Sequence, residues 1–490
     1  MPKLTFTGDV QSATTSGVTF VVYAPFGTDA ELSTYPDGTT NKVATHPLVL
    51  ALEQVADDGV NVCLLIDRVD DDTWLVDIPA KKPKVLTSRW KHDMQSPRTL
   101  AGLLRYAAQR YPSTALVLSL EGHGAGYIPE LDVSKLDVEH ITDGGEAGPV
   151  EWKVDEKKGA PLLPMGSPLL PMGSPLLPMG SPLLPMNHYP ISSWGLAWAL
   201  NAALPVTPRR VGAIHLNNCF NMSVELLHTI APFADFATGY INYNFFTAGA
   251  GYPAVSERLK NKGTASTTEL ARWFAEANRD TLAAAPHHPT VGASVRLANM
   301  GAVASAIDAL AIGLIVALTG ATPAQRPTVV GKIRDAIRSA QQYDTVETQL
   351  LEAPDELTDI ASLASRLRNF SVNAAQVQAA ANAVLAAVSG VKIYGANDFP
   401  WTSPTTRWDF SRPDLAMNVL CPDPTLVGLW DWRSPYYLQK TPQPAQPQVI
   451  GFLANTAWVD FIIEYHRDVP FAGLRPAAIP RFPVFRRTGT

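Results

Sequence analysis

Through roughly its first 240 residues the chain alternates two hydrophobic rhythms. Short unbroken apolar runs recur at GVTFVVYAPF (17–26), VNVCLLIDR (60–68), TALVLSL (114–120) and RRVGAIHLNN (209–218). Runs of this length, rich in Val, Ile and Leu, predict strands buried on both faces. Between them lie stretches whose apolar positions return every three or four residues, the mark of an amphipathic helix. HPLVLALEQVADDG (46–59) is a helix stopped by a glycine, and SPRTLAGLLRYAAQRYP (96–112) opens with a Ser cap and Pro in the first turn. SVELLHTIAPFA predicts another helix, FATGYINY a further strand, and TWLVDIP with PKVLTSRW a polar-edged hairpin. Apolar strands separated by amphipathic helices imply an α/β fold whose sheet is mainly parallel, with helices on both faces.

Beyond residue 260 the rhythm becomes helical, as in TTELARWFAEANRDTLAA, TVVGKIRDAIRSAQQ, DELTDIASLASRLRN, NAAQVQAAANAVLAAVSG and the closing VIGFLANTAWVDFIIEYHR. The expected division is therefore a sheet-bearing core over 1–260 and a mostly helical region, 261–490, packed on it. MGAVASAIDALAIGLIVALTG (300–320) has the length of a membrane span, but Asp308 interrupts it and no basic cluster follows, so a buried core helix is expected. Residues 161–186 break both rhythms: PLLPMGS occurs three times and a fourth PLLPM closes the run. Two prolines per repeat forbid a continuous helix, so this stretch is read as an extended insert within the core, spanning 151–187 with its charged preface.

Composition narrows the functional classes. A length of 490 residues, 46% apolar and 17% charged, suits a soluble protein with a sizeable core. The net charge of −6 gives no basic footprint for nucleic acid or an anionic membrane, and neither is expected as a partner. Cys63, Cys219 and Cys421 are too few for a disulfide framework, and MPKLTFTGDVQSATTSG lacks the apolar core of a signal peptide. Both point to a cytoplasmic setting.

Chemistry gathers just past two of the strands. LVLSLEGHGAGY delivers His123, flanked by Gly122 and Gly124, to a strand's C-terminal end, where α/β sheets concentrate functional groups. A phosphate-cradling loop is one reading, but GHGAG lacks the full glycine spacing and a following Lys-Ser/Thr. A tight turn holding a structural histidine and a catalytic histidine are the others. GAIHLNNCFNMSVELL places Cys219 past another strand and before a helix, where a helix N-terminus would favour its thiolate. A thiol and an imidazole on one sheet edge can manage acyl transfer between them. By contrast, Cys63 is read as core filler, His215 as a packed core residue, His228 as a helix residue and His287-His288 as a loop pair. No histidine has zinc-ligand spacing. Asp70-Asp71-Asp72 is a turn, a calcium-binding run or a negative rim.

A hydrophobic block ending in His-Gly, followed by one ending in Cys, resembles the caspase, gingipain, legumain and clostripain group. The clostripain-like cysteine peptidases are the narrower resemblance, carried by VNVCLLIDR, DMQSPRTLAGLLRYAAQRYPSTALVLSLEGHGAGY and IHLNNCFNMSVELLHTIAPFADFATG. It implies a caspase-like sheet and an endopeptidase acting on a protein or peptide. His123 would be the general acid/base, Cys219 the nucleophile, and the backbone N–H groups of Gly124 and Cys219 the oxyanion donors. No cofactor is required, although the resemblance allows for calcium, and the substrate would include a partner protein activated by cleavage. Two departures stand out. The usual aspartate two residues before the cysteine is Asn217, which removes a charge partner for Arg or Lys, with Asp67 a candidate substitute. The insert at 151–187 also occupies the interval where relatives are cut for activation, which makes Lys157 and Lys158 candidate processing sites under basic specificity. A catalytically silent scaffold of the same fold is the alternative reading.

Overall fold

Alternating side chains on β1 (Val18–Pro25) supply both layers of the interior: Phe20 and Val22 join one apolar cluster, Val21 and Tyr23 the other. That two-sided burial runs through a computed structural model of the chain. It describes residues 17–26, 43–67, 73–90, 94, 96–112, 115–122, 124, 126–130, 191–203, 211–242, 244, 249, 251–284, 290–343, 357–372, 375–398, 410, 412–421, 437–444 and 446–467, and four short strands between 141 and 162.

The main sheet adds β2 (Asn61–Asp67), β3 (Thr73–Ile78), β4 (Val85–Trp90), β5 (Ala115–Glu121), β6 (Val211–Asn217), β7 (Ala234–Tyr240), β8 (Thr290–Arg296) and β9 (Lys392–Asp398). Their order is β9-β8-β7-β6-β5-β1-β2-β3-β4. The five central strands, β7 through β2, run parallel, while the hairpin β3–β4 and the pair β8–β9 close the sheet antiparallel on either side. Each parallel step needs a crossover, and helices supply it. α1 (Pro47–Asp57), α5 (Gly251–Lys262) and α6 (Thr267–Ala283) cover one face through Leu48, Leu52, Tyr252 and Phe274. α2 (Pro97–Arg110), α3 (Ser193–Ala203) and α4 (Val224–Ile230) cover the other through Leu100, Leu104, Leu196 and Leu227.

The helical half both packs on the sheet and completes it. Its strands β8 and β9 extend the edge beyond β7, so the sheet crosses the boundary expected near residue 260. TVGASVR gave no warning of β8, because glycine, alanine and serine replace the bulky residues that mark a strand. Small residues are needed there: a Cβ on Gly292 would lie 3.0 Å from the Gly239 carbonyl oxygen. The apolar run at 300–320 forms α7 (Met300–Thr319), followed by α8 (Arg326–Ser339) and α9 (Ile360–Leu367), and packs against α10 (Ala375–Val391), α12 (Trp458–His466) and α4. Together with Leu297–Asn299 it is long and apolar enough to cross a membrane. Asp308 accepts the backbone N–H of Ala457 at 2.7 Å, which ties the helix to the C-terminal segment. That final segment, expected as one helix, breaks into α11 (Gly451–Asn455) and α12 at Thr456, whose hydroxyl turns back onto Phe452.

Candidate functional site

β5 and β6 are adjacent parallel strands in a register that pairs His215 with Ser119 and Asn217 with Glu121. Both end at the same sheet edge, and positions 123 and 219 each fall two residues beyond the paired Glu121 and Asn217. His123 itself lies outside the described residues, but Gly124 is placed. A Cβ built on Gly124 would fall inside contact distance of the Cys219 carbonyl oxygen and 2.9 Å from Cγ of both Asn218 and Asn221. The histidine-bearing loop is thus seated on the cysteine-bearing turn.

Cys219 is buried, and Asn244 engages its sulfur: the Asn244 N–H donates to Sγ at 3.3 Å, and the thiol faces the Asn244 carbonyl at 3.6 Å. This corrects the expected role of the helix terminus. α4 begins at Val224 with Ser223 as its cap, and Phe220 to Ser223 separate the thiol from it. Phe220, next to the cysteine, takes φ 59°, a left-handed conformation that costs a bulky residue roughly 1–2 kcal/mol. The packing pins the turn there: the Phe220 N–H donates to Asn242 O, and Asn418 Nδ2 donates to Phe220 O. Asn221 adds a second tie, receiving the Gly126 N–H on Oδ1 at 2.9 Å while its Nδ2 reaches Asn218 at 2.7 Å. A small pocket opens beside this edge between Gly126, Ile128, Leu196 and Asn221.

Beneath the edge runs a buried polar chain that the sequence reading missed. Asn217 Nδ2 donates to Glu121 Oε2 at 2.8 Å, and Asn244 Nδ2 donates to Asn217 Oδ1 at 3.1 Å. Glu121 Oε1 receives the Tyr252 hydroxyl and, at 3.1 Å, that of Ser119, which in turn lies 2.8 Å from His215 Nδ1. Asn278 Nδ2 sits 3.0 Å from His215 Nε2. These contacts suit a neutral imidazole with its proton on Nδ1, and burial holds the His215 pKa down at about 3. Burial pushes the Glu121 carboxyl up to about 7, against hydrogen bonds from Tyr252, Asn217 and Ser119 that favour its charge. A carboxylate and a serine two apart in an otherwise apolar strand was the available signal, since period two puts both on one face.

A pH test follows. Glu121 has a folded pKa above its unfolded value near 4.5, so it costs nothing below pH 4.5 and destabilises increasingly as pH rises to about 7. His215 acts with the opposite sign between about pH 3 and 6.5, so the wild-type profile mixes the two. Taking the difference from Glu121→Gln cancels the histidine. The variant is expected to gain about 3 kcal/mol on wild type between pH 4.5 and 7.5, measured by denaturant titration. A pH-independent difference would refute this.

The other predicted positions separate. Asp67 ends β2, with β1 and β5 between it and β6, so three strand spacings, on the order of 14 Å, divide it from Asn217. It accepts the Thr73 hydroxyl at 3.1 Å and does not stand in for the missing aspartate. Cys63 is fully buried in β2, and burial pushes its thiol up. Asp70-Asp71-Asp72, Lys157, Lys158, His287 and His288 lie outside the described residues. Among the described residues no His, Cys, Asp and Glu cluster could hold a metal ion.

The sequence matches no family model and no curated protein. Solved structures do match. A secreted C11 cysteine protease from Bacteroides thetaiotaomicron, iotapain, aligns over 92% of this chain and all of its own, at 11% identity and a TM-score of 0.53. The fold is that of the C11, clostripain-like cysteine proteases. An inactive zymogen C11 protease from Parabacteroides distasonis covers 85% of this chain and 95% of its own, at 14% identity and TM-score 0.48. The B. thetaiotaomicron protease with an irreversible peptide inhibitor gives 82%, 92%, 14% and 0.49. In this protease fold the sheet edge carrying Cys219 is where the sequence concentrates its candidate chemistry.

Proposed function

We propose that the chain is a cysteine endopeptidase. Cys219 Sγ attacks the carbonyl carbon of a peptide bond, forming a C–S bond as the C–N bond breaks. His123 takes the thiol proton and returns it to the leaving amine, and water then releases the acyl group with the imidazole acting as base. Backbone N–H groups of Gly124 and Cys219 would meet the oxyanion, donors that need no reorganisation because the two loops are already packed together. The observation that carries this reading is the seat of Gly124 against the Cys219 carbonyl, which brings the residue next to His123 onto the nucleophile's own turn. The Asn244 N–H directed at Sγ adds a donor suited to a thiolate. We further propose that segment 151–187, between the two blocks, is an activation linker cut by the enzyme itself.

The direct test is covalent. Irreversible peptidyl electrophiles are expected to modify wild-type protein once, at Cys219, as mapped by peptide mass spectrometry. Protein modified by none of them beyond the level of Cys219→Ala would leave a protease fold without protease chemistry and overturn the reading.

A further inference from the structure

Three polar groups near Cys219 are buried and unanswered. Asn242 has neither amide atom hydrogen-bonded, and Asn244 leaves Oδ1 without a partner, among side chains at most 7% exposed. Asn242 and Asn244 follow the end of β7, and each touches the nucleophile's turn through its backbone: the Asn242 carbonyl receives the Phe220 N–H, and the Asn244 N–H reaches Sγ. Buried polar groups are ordinarily paired, and each one left open costs roughly ten- to a hundredfold in an equilibrium. A set of such groups beside a nucleophile is what a bound side chain would complete.

The sense of that set is fixed from behind. Asn217 turns its amide nitrogen to Glu121 Oε2 and its carbonyl oxygen to Asn244 Nδ2. Asn244 then spends its nitrogen on Asn217, which leaves its oxygen open. The open groups are accordingly two acceptors, Oδ1 of Asn242 and Asn244, and one donor, Nδ2 of Asn242. A primary amide offers two N–H donors and one carbonyl acceptor, which complements them group for group. A guanidinium or ammonium offers donors only and would strand the Asn242 nitrogen. It would also bring a charge, while Glu121, on the other side of Asn217, already holds Tyr252, Ser119 and Asn217. An aliphatic side chain would satisfy none of the three.

Resting on the peptidase reading, we propose that this amide cluster selects glutamine or asparagine at the residue before the cut bond, with Asn217 and Glu121 as specificity-determining residues. The choice bears on the linker. Between Gly122 and Leu200 the sequence contains no glutamine and one asparagine, Asn187, directly after the last PLLPM. Self-cleavage is therefore assigned to the Asn187–His188 bond rather than to Lys157 or Lys158.

The test is a panel of peptidyl electrophiles differing only at that residue (Gln, Asn, Lys, Arg, Leu), with second-order labelling rates at Cys219 and the intact mass of purified protein. The Gln or Asn probe is expected to react at least tenfold faster than the Lys, Arg or Leu probe, and the cut chain to yield a fragment beginning at His188. Asn217→Asp, which adds a carboxylate beside Glu121, is expected to raise the Lys-to-Gln rate ratio at least tenfold. Fastest labelling with Lys, Arg or Leu, or a fragment ending at Lys157 or Lys158, overturns the amide assignment while leaving Cys219 a working nucleophile. Absence of labelling by every probe instead removes the peptidase reading itself.

Discussion

Replacing Cys219 with alanine is expected to lower peptide hydrolysis by at least about a thousandfold in kcat/KM while leaving the fold intact. The activity loss is large because no second thiol can act at this edge. Cys63 lies within β2 and Cys421 is buried with the C-terminal segment. Stability should shift by only about 1 kcal/mol, since the substitution removes a single sulfur and leaves the surrounding backbone hydrogen bonds in place. The same substitution should preserve a full-length chain if wild type is found cut between 151 and 187. Hydrolysis assays and intact mass on the two proteins, with thermal melts as the folding control, check all three outcomes. An active Cys219→Ala protein would remove this sulfur from the chemistry, and a wild type as intact as the variant would remove self-processing alone.

What the sequence made legible followed from the strength of its hydrophobic rhythm. β1, β2, β5 and β6 are unbroken apolar runs because both their faces are covered. The edge carrying Gly124 and Cys219 could be read for the same reason, since parallel strands end their apolar runs together. Where packing required small residues the rhythm vanished. β7 and β8 approach closely enough that a Cβ on Gly292 would lie 3.0 Å from the Gly239 carbonyl oxygen, and TVGASVR then looks like a loop. The Glu121–Asn217–Asn244 chain was hidden differently. Each residue taken alone is an ordinary strand-end polar group, and only strand order reveals that Glu121 and Asn217 are neighbours. Asp67 fails as a pocket residue on the same ground, because distance along the chain carries no record of the two strands that intervene.

Gly124→Ala is expected to cost about a hundredfold in kcat/KM, the second large effect, through one added methyl group. The new Cβ would press on the Cys219 carbonyl oxygen and sit 2.9 Å from Cγ of Asn218 and of Asn221. None of these can retreat cheaply. Asn221 is held by the Gly126 N–H and by Asn218, and the backbone that follows Cys219 is held at Phe220 by Asn242 and Asn418. The glycine loop must therefore lift from the turn, and a displacement near 1 Å between reacting groups is worth about that factor. The stability cost should be smaller, about 1–3 kcal/mol, as for other overpacked positions. Gly126→Ala provides the comparison. Its φ of +70° strains any side chain, yet its nearest contact for a Cβ is 3.4 Å, so it should lose stability with a much smaller loss of rate. Measuring kcat/KM and melting temperature for both variants separates the two effects. Equal rate losses would mean that loop strain matters and the seat on Cys219 does not, and a fully active Gly124→Ala would show that the two loops need not touch for catalysis.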